Sequence, residues 1–88
     1  MNKHYQHKEG VIETDLDDEI VLLDSDTRAM FSLNESGRLI WQALPESGTE
    51  GAVRTVVDNF DVSEEKARTD VDLLVDELLK AKLLSPGI

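Results

Sequence analysis

Cysteine is absent from the sequence. Disulfide bridges, thiolate metal sites and cysteine nucleophiles are therefore excluded. Basic charge is scarce: nine Lys and Arg stand against nineteen Asp and Glu, a formal net charge of -10. Affinity for nucleic acid comes largely from Lys and Arg that displace counterions from phosphates, and an anionic membrane surface attracts the same side chains. A chain of this sign suits neither, and a basic or neutral partner is favoured. No apolar run approaches the length of a membrane span. The polar start, Met1 to Gly10 (MNKHYQHKEG), lacks the apolar stretch of a secretory signal, so the expectation is a cytoplasmic chain. Glycine is sparse, and Gly37, Gly48 and Gly51 read as helix-end and loop residues rather than as a phosphate-cradling loop. The acids are spread evenly, and no nucleophile pairs with a base in a way that suggests a shielded catalytic site. The expectation is no intrinsic catalysis and no cofactor.

What is present is enough for one small domain. The chain has 88 residues, 40% hydrophobic and 32% charged, too apolar for a disordered tail and long enough for a single modest core. Residues 1–10 show no period and are read as a flexible tail, with His4 and His7 as solvent-exposed tail histidines lacking further metal ligands; residues 11–85 are read as the domain. Val11–Leu16 has strand character, Asp17-Asp18 suits a two-residue turn, and Glu19–Asp24 carries four successive apolar residues, as a doubly covered strand would. After turn chemistry at Asp24–Thr27, Ala29–Leu33 is a third strand, with Phe31 and Leu33 on one face and Met30 and Ser32 on the other. Three strands with short connections predict an antiparallel meander with Glu19–Asp24 in the middle and Ala29–Leu33 at an edge.

Three helices are expected next. Asn34 caps the first, which Pro45 stops. Thr49 caps the second, where Ala52, Val53, Val56, Val57 and Phe60 recur at helical spacing. Ser63 caps the third, which runs to about Lys82, with Glu64 and Glu65 at its positive end and Lys80 and Lys82 at its negative end. In this helix Ala67, Val71, Leu74 and Leu78 form the core seam. Val75 and Leu79 widen the apolar surface on one flank, beside Arg68 and Asp72, while Leu73 falls on the opposite flank and has no assigned place. Three strands followed by three helices predict an α+β fold with a small sheet packed on a helical layer.

Two stretches carry a family resemblance. Leu22 to Trp41 (LLDSDTRAMFSLNESGRLIW) resembles the PqqD family, most specifically in Leu33-Asn34, Gly37 and Ile40-Trp41, and Val56 to Leu84 (VDNFDVSEEKARTDVDLLVDELLKAKLL) resembles the second half of the same family. The resemblance implies a winged helix-turn-helix-like domain that recognises the leader segment of a ribosomally made precursor peptide. It implies that the leader adds as a strand beside the third strand, in a groove closed by the third helix. Among its members the chain is most similar to stand-alone leader-binding proteins of lasso-peptide pathways, which serve a separate cysteine protease, the leader peptidase. A PqqD-like chaperone for a radical-SAM maturase is the alternative.

The residues themselves support that reading in part. An edge strand offers unpaired backbone groups, which a peptide strand satisfies while side-chain pockets select it. The expected contacts are Arg28, Ala29, Met30, Phe31 and Ser32 on the strand, and Arg68, Val71, Asp72, Val75 and Leu79 on the helix, in a monomer. A winged-helix DNA-binding protein is disfavoured, because the third helix carries six acids against four bases. A carrier protein needs a serine at a helix start; the nearest candidate, Asp24-Ser25-Asp26, sits in a strand turn.

Overall fold

Strands β2 (Val11–Leu16) and β3 (Glu19–Asp24) form a hairpin that closes with Leu16 opposite Glu19. The two-residue turn between them needs a left-handed residue, and Asp17 supplies it at φ 59°, a conformation that aspartate tolerates better than most side chains. Strand β4 (Met30–Leu33) pairs with the other side of β3, giving the antiparallel order β2-β3-β4. The computed structural model describes residues 2–87. Ile20 and Leu22 of β3 and Leu33 of β4 are buried on the inner face, against a helical layer that contributes Ile40, Trp41 and Leu44. The expected meander and its central strand are thus present.

The β3–β4 turn is built around Asp24. Its side chain is buried, accepts hydrogen bonds from the Asp26 and Thr27 amides at 2.9 and 3.4 Å, and pairs with Lys8 Nζ at 2.7 Å. Lys8 holds the Asp24 carboxyl below the usual carboxylate range, with burial opposing and the two amides assisting.

The helical layer holds two helices, α1 (Glu35–Asn59) and α2 (Glu64–Lys80), where the sequence predicts three. Asn34 and Ser63 cap them as expected, accepting from the Gly37 and Lys66 amides. The boundary expected at Pro45 is corrected: Pro45 lies inside α1, and the break comes at Gly48, with φ 72° and ψ −169°. A proline removes the N–H that would bond the carbonyl four residues back. Here that carbonyl belongs to Trp41, and His7 Nε2 lies 2.8 Å from it, in place to donate. The helix therefore continues past Pro45. The Gly48 backbone occupies a region essentially restricted to glycine.

The N-terminal segment is the second correction. Residues 1–10 are not the expected tail throughout; Tyr5–His7 forms β1, which pairs antiparallel with β5 (Leu84–Pro86) in a separate two-stranded sheet. His7 is not a free surface histidine: its ring stacks on Trp41 at 3.5 Å and 6°. Asn2 and Lys3 bridge the helix break. Asn2 Oδ1 accepts from the Glu50 amide at 2.9 Å, and the Lys3 carbonyl accepts from the Thr49 amide at 2.9 Å. Asn2 and Lys3 thus receive the amides that open the second part of α1, while the Thr49 hydroxyl accepts from the Lys3 amide. Neither β1 nor β5 exceeds three residues, too few for a hydrophobic period to register. No helix among the described residues is long and apolar enough to cross a membrane.

Candidate functional site

Strand β4 is bonded on one side only, to β3. Its other edge opens on a cleft of about 530 Å³ between the sheet and α2. Phe31, Ser32 and Leu33 form the sheet side, with Gly37 and Ile40 of α1 behind them, and Leu73 and Leu74 form the apolar part of the helix side. Lys66, Asp70 and Glu77 stand along the same helix wall.

This wall follows from the helical repeat. At roughly 100° per residue, Lys66, Asp70, Leu73 and Glu77 share one stripe of α2. Ala67, Val71, Val75 and Leu78 are buried on the core side, and Leu74 is half-buried between core and cleft. Leu73 is 61% exposed, an apolar side chain left open within an otherwise charged stripe. Lys66 Nζ is engaged by Asp70, at 2.8 and 3.1 Å from its two carboxylate oxygens. The wall's remaining charge is that of Glu77.

Two of the ten residues singled out in the sequence line this cleft, Phe31 and Ser32. Arg28 and Ala29 precede β4 in the turn, with Arg28 at φ 66°. Met30 is 69% exposed on the outer sheet face, away from the cleft, as the alternation of a strand requires once Phe31 faces inward. Val71 is wholly buried in the core. Arg68, Asp72, Val75 and Leu79 occupy the opposite side of α2, around a second hollow shared with Lys3, Tyr5, Thr49 and Glu50. On the helix side, the residues that line the cleft beside β4 are Lys66, Asp70, Leu73, Leu74 and Glu77.

Arg68 has a structural partner on that opposite side. Its guanidinium forms a two-pronged pair with Glu50, at 2.6 and 3.0 Å, tying α2 to α1. The pairing holds the Glu50 carboxyl below its usual range and raises the Arg68 guanidinium further. Lys3 and Tyr5 of the N-terminal segment line the second hollow together with Arg68, Asp72, Val75 and Leu79. Leu73, which has no assigned place in the sequence reading, stands on the cleft wall.

What the arrangement offers is a free strand edge beside a partly apolar trough. An extended chain laid there satisfies the unpaired backbone groups of β4 and turns alternate side chains toward Phe31, Leu73 and Leu74. Among the described residues no group of three His, Asp or Glu side chains is placed to hold a metal ion.

Comparison with solved structures finds the same fold in proteins captured with peptides. One, described as "TbiB1 in Complex with the TbiA(beta) Leader Peptide", is 26% identical with a TM-score of 0.84, over 94% of this chain and 98% of that one. Another, "Lasso peptide synthetase B1 complexed with the leader peptide", is 21% identical with a TM-score of 0.83, over 94% and 99%, a likeness of fold. No curated protein matches the chain. Residues 19–84 match the family described as "Coenzyme PQQ synthesis protein D (PqqD)", a span from the central strand to the start of β5, and the chain belongs to the PqqD family.

Proposed function

We propose that this protein binds the leader segment of a ribosomally made precursor peptide and presents it to a maturation enzyme, the leader peptidase of a lasso-peptide pathway. The observation that carries the reading is the open β4 edge facing the cleft with α2. The leader docks as an added strand beside Met30–Leu33. Its inward side chains enter the trough between Phe31 and the Leu73–Leu74 pair, and their burial supplies most of the affinity. Glu77, the acid on this wall without an ion-pair partner among the described residues, favours a leader with Lys or Arg at that end. The 26% identical neighbour solved with a leader peptide supports the class of ligand. The domain's part in maturation is docking, with chemistry left to the enzyme.

Calorimetric titration with synthetic leader peptides tests this. A one-to-one complex of micromolar or tighter affinity, lost when the leader sequence is scrambled, is the expected result. A folded protein that binds no leader from any precursor of this class overturns the reading.

A further inference from the structure

The sheet has a second open edge. β2 is bonded on one side only, to β3, across the sheet from β4. Its residues, Val11–Leu16, pair with β3 in unbroken register, with no bulge and no proline. Natural edge strands are commonly closed by a bulge, a proline, a lysine or an inward-pointing charge. Here the last of these is present. The register sets Glu13 opposite Leu22 and Asp15 opposite Ile20, both of which are buried on the inner face, so the two acids share that face. The helical layer does not cover them. Both are exposed, with Asp15 3.2 Å from Arg38 and Glu13 3.9 Å from His7 Nδ1. Ile12, Thr14 and Leu16 are exposed on the other face.

This alternation decides what can pair with the edge. Residues opposite one another in a sheet share a face. A second copy laid antiparallel along β2 therefore sets Glu13 against Glu13, or Glu13 against Asp15, in the registers of greatest overlap. Like charges directly opposite are destabilising, and β2 leads into Asp17, Asp18 and Glu19, all exposed. A second copy is turned away. A strand with Lys or Arg at alternate positions meets both acids, and its intervening residues lie beside Ile12, Thr14 and Leu16.

We propose that the β2 edge is a second strand-docking site, whose occupant is an extended segment of a protein partner with Lys or Arg at every other residue and Val, Ile or Thr between them. The unpaired backbone groups of β2 supply the attachment, and the two acids supply the choice of partner. β3 and β4 separate this edge from the one beside the cleft, so both can be filled at once. The proposal stands whether or not β4 takes a leader.

The probe is a short capped peptide in which lysine alternates with valine and threonine, titrated at low salt into the isotope-labelled full chain and followed by NMR. The expected result is movement of the Val11–Leu16 amide signals while those of Met30–Leu33 stay still. The lysine probe should bind about tenfold or more tighter than a glutamate version. Methylating alternate backbone nitrogens along one edge of the probe should abolish binding, and along the other edge leave it, because an added strand bonds to β2 through one edge only. Glu13→Gln together with Asp15→Asn should weaken the lysine probe about fivefold. Saturating leader should leave probe binding within about twofold. No binding of the probe, equal binding by the glutamate version or by the two methylated forms, a probe indifferent to the double substitution, or signals that move at β4 overturns the proposal. So does displacement of the probe by leader. A concentration-dependent dimer in sedimentation, with β2 amides that shift on dilution, gives the edge to a second copy and overturns it as well.

Discussion

Leu73→Asp should abolish most leader binding without unfolding the protein, and the structure sets the size of the effect. Leu73 is 61% exposed at the cleft, so the core loses little when it is replaced. Burying a whole leucine side chain is worth about 1.5–3 kcal/mol. A leader that covers the open part therefore gains about 1–2 kcal/mol from this residue. Losing that contact alone weakens binding about 5- to 30-fold, and an aspartate forced under the peptide adds a desolvation penalty. Calorimetry gives the affinity and thermal unfolding the stability. Leu79→Asp is the matched control, since Leu79 lies on the opposite side of α2 near Tyr5 and Thr49. It should lower stability more than Leu73→Asp and leave leader affinity nearly unchanged in the protein that remains folded. If Leu73→Asp binds leader as tightly as the unaltered protein while Leu79→Asp loses it, the cleft has been placed on the wrong side of α2.

His7→Ala removes the ring stacked on Trp41 and leaves the Trp41 carbonyl, already stripped of its helical partner by Pro45, without a donor. Destabilisation of about 2 kcal/mol is expected in chemical denaturation, the sum of a lost aromatic pair and an unsatisfied carbonyl. Gly48→Ala should destabilise by about 1–3 kcal/mol, because its backbone is in a glycine region and a side chain there would run into Asn2 and the Lys3 carbonyl; an unchanged melting temperature would refute the break. The Asp24 carboxyl is held below its ordinary value near 3.8, so its pairing stabilises the fold at neutral pH, and this contribution is lost as pH falls through and below that value. The stability gap between the unaltered protein and Asp24→Asn, measured by urea unfolding, should therefore be wide at pH 7 and shrink steadily as pH falls below the ordinary carboxyl value near 3.8. Lys8 is raised above its usual 10.5, so the same ion pair weakens again only in strongly alkaline solution.

The sheet was legible because its determinants are local. Asp17-Asp18 supplies a turn, β3 carries an apolar run, and the Phe31/Met30 alternation sorts the two faces. The caps at Asn34 and Ser63 are likewise written into single residues. Pro45 misled because the group that rescues its orphaned carbonyl, His7, stands 34 residues away, and no window centred on the proline contains it. The helix flank was ambiguous for a related reason. Val75 and Leu79 on one side and Leu73 and Leu74 on the other give α2 an apolar arc wider than its core seam. The helix sequence by itself does not reveal that one side meets Glu50 through Arg68 while the other faces the β4 edge. β1 and β5 escaped notice because each is three residues long and gains its strand character from the other.

The pairing of β1 with β5 has an architectural consequence. Tyr5 lies opposite Pro86, so the polypeptide enters and leaves this domain at neighbouring points, and on a sheet separate from the one that bears the β4 edge. A unit whose two ends emerge side by side can be spliced into a surface loop of another protein with short joints and little distortion of the host. Carried as such an insert, it would be grafted by the small sheet, leaving the edge of the larger one clear.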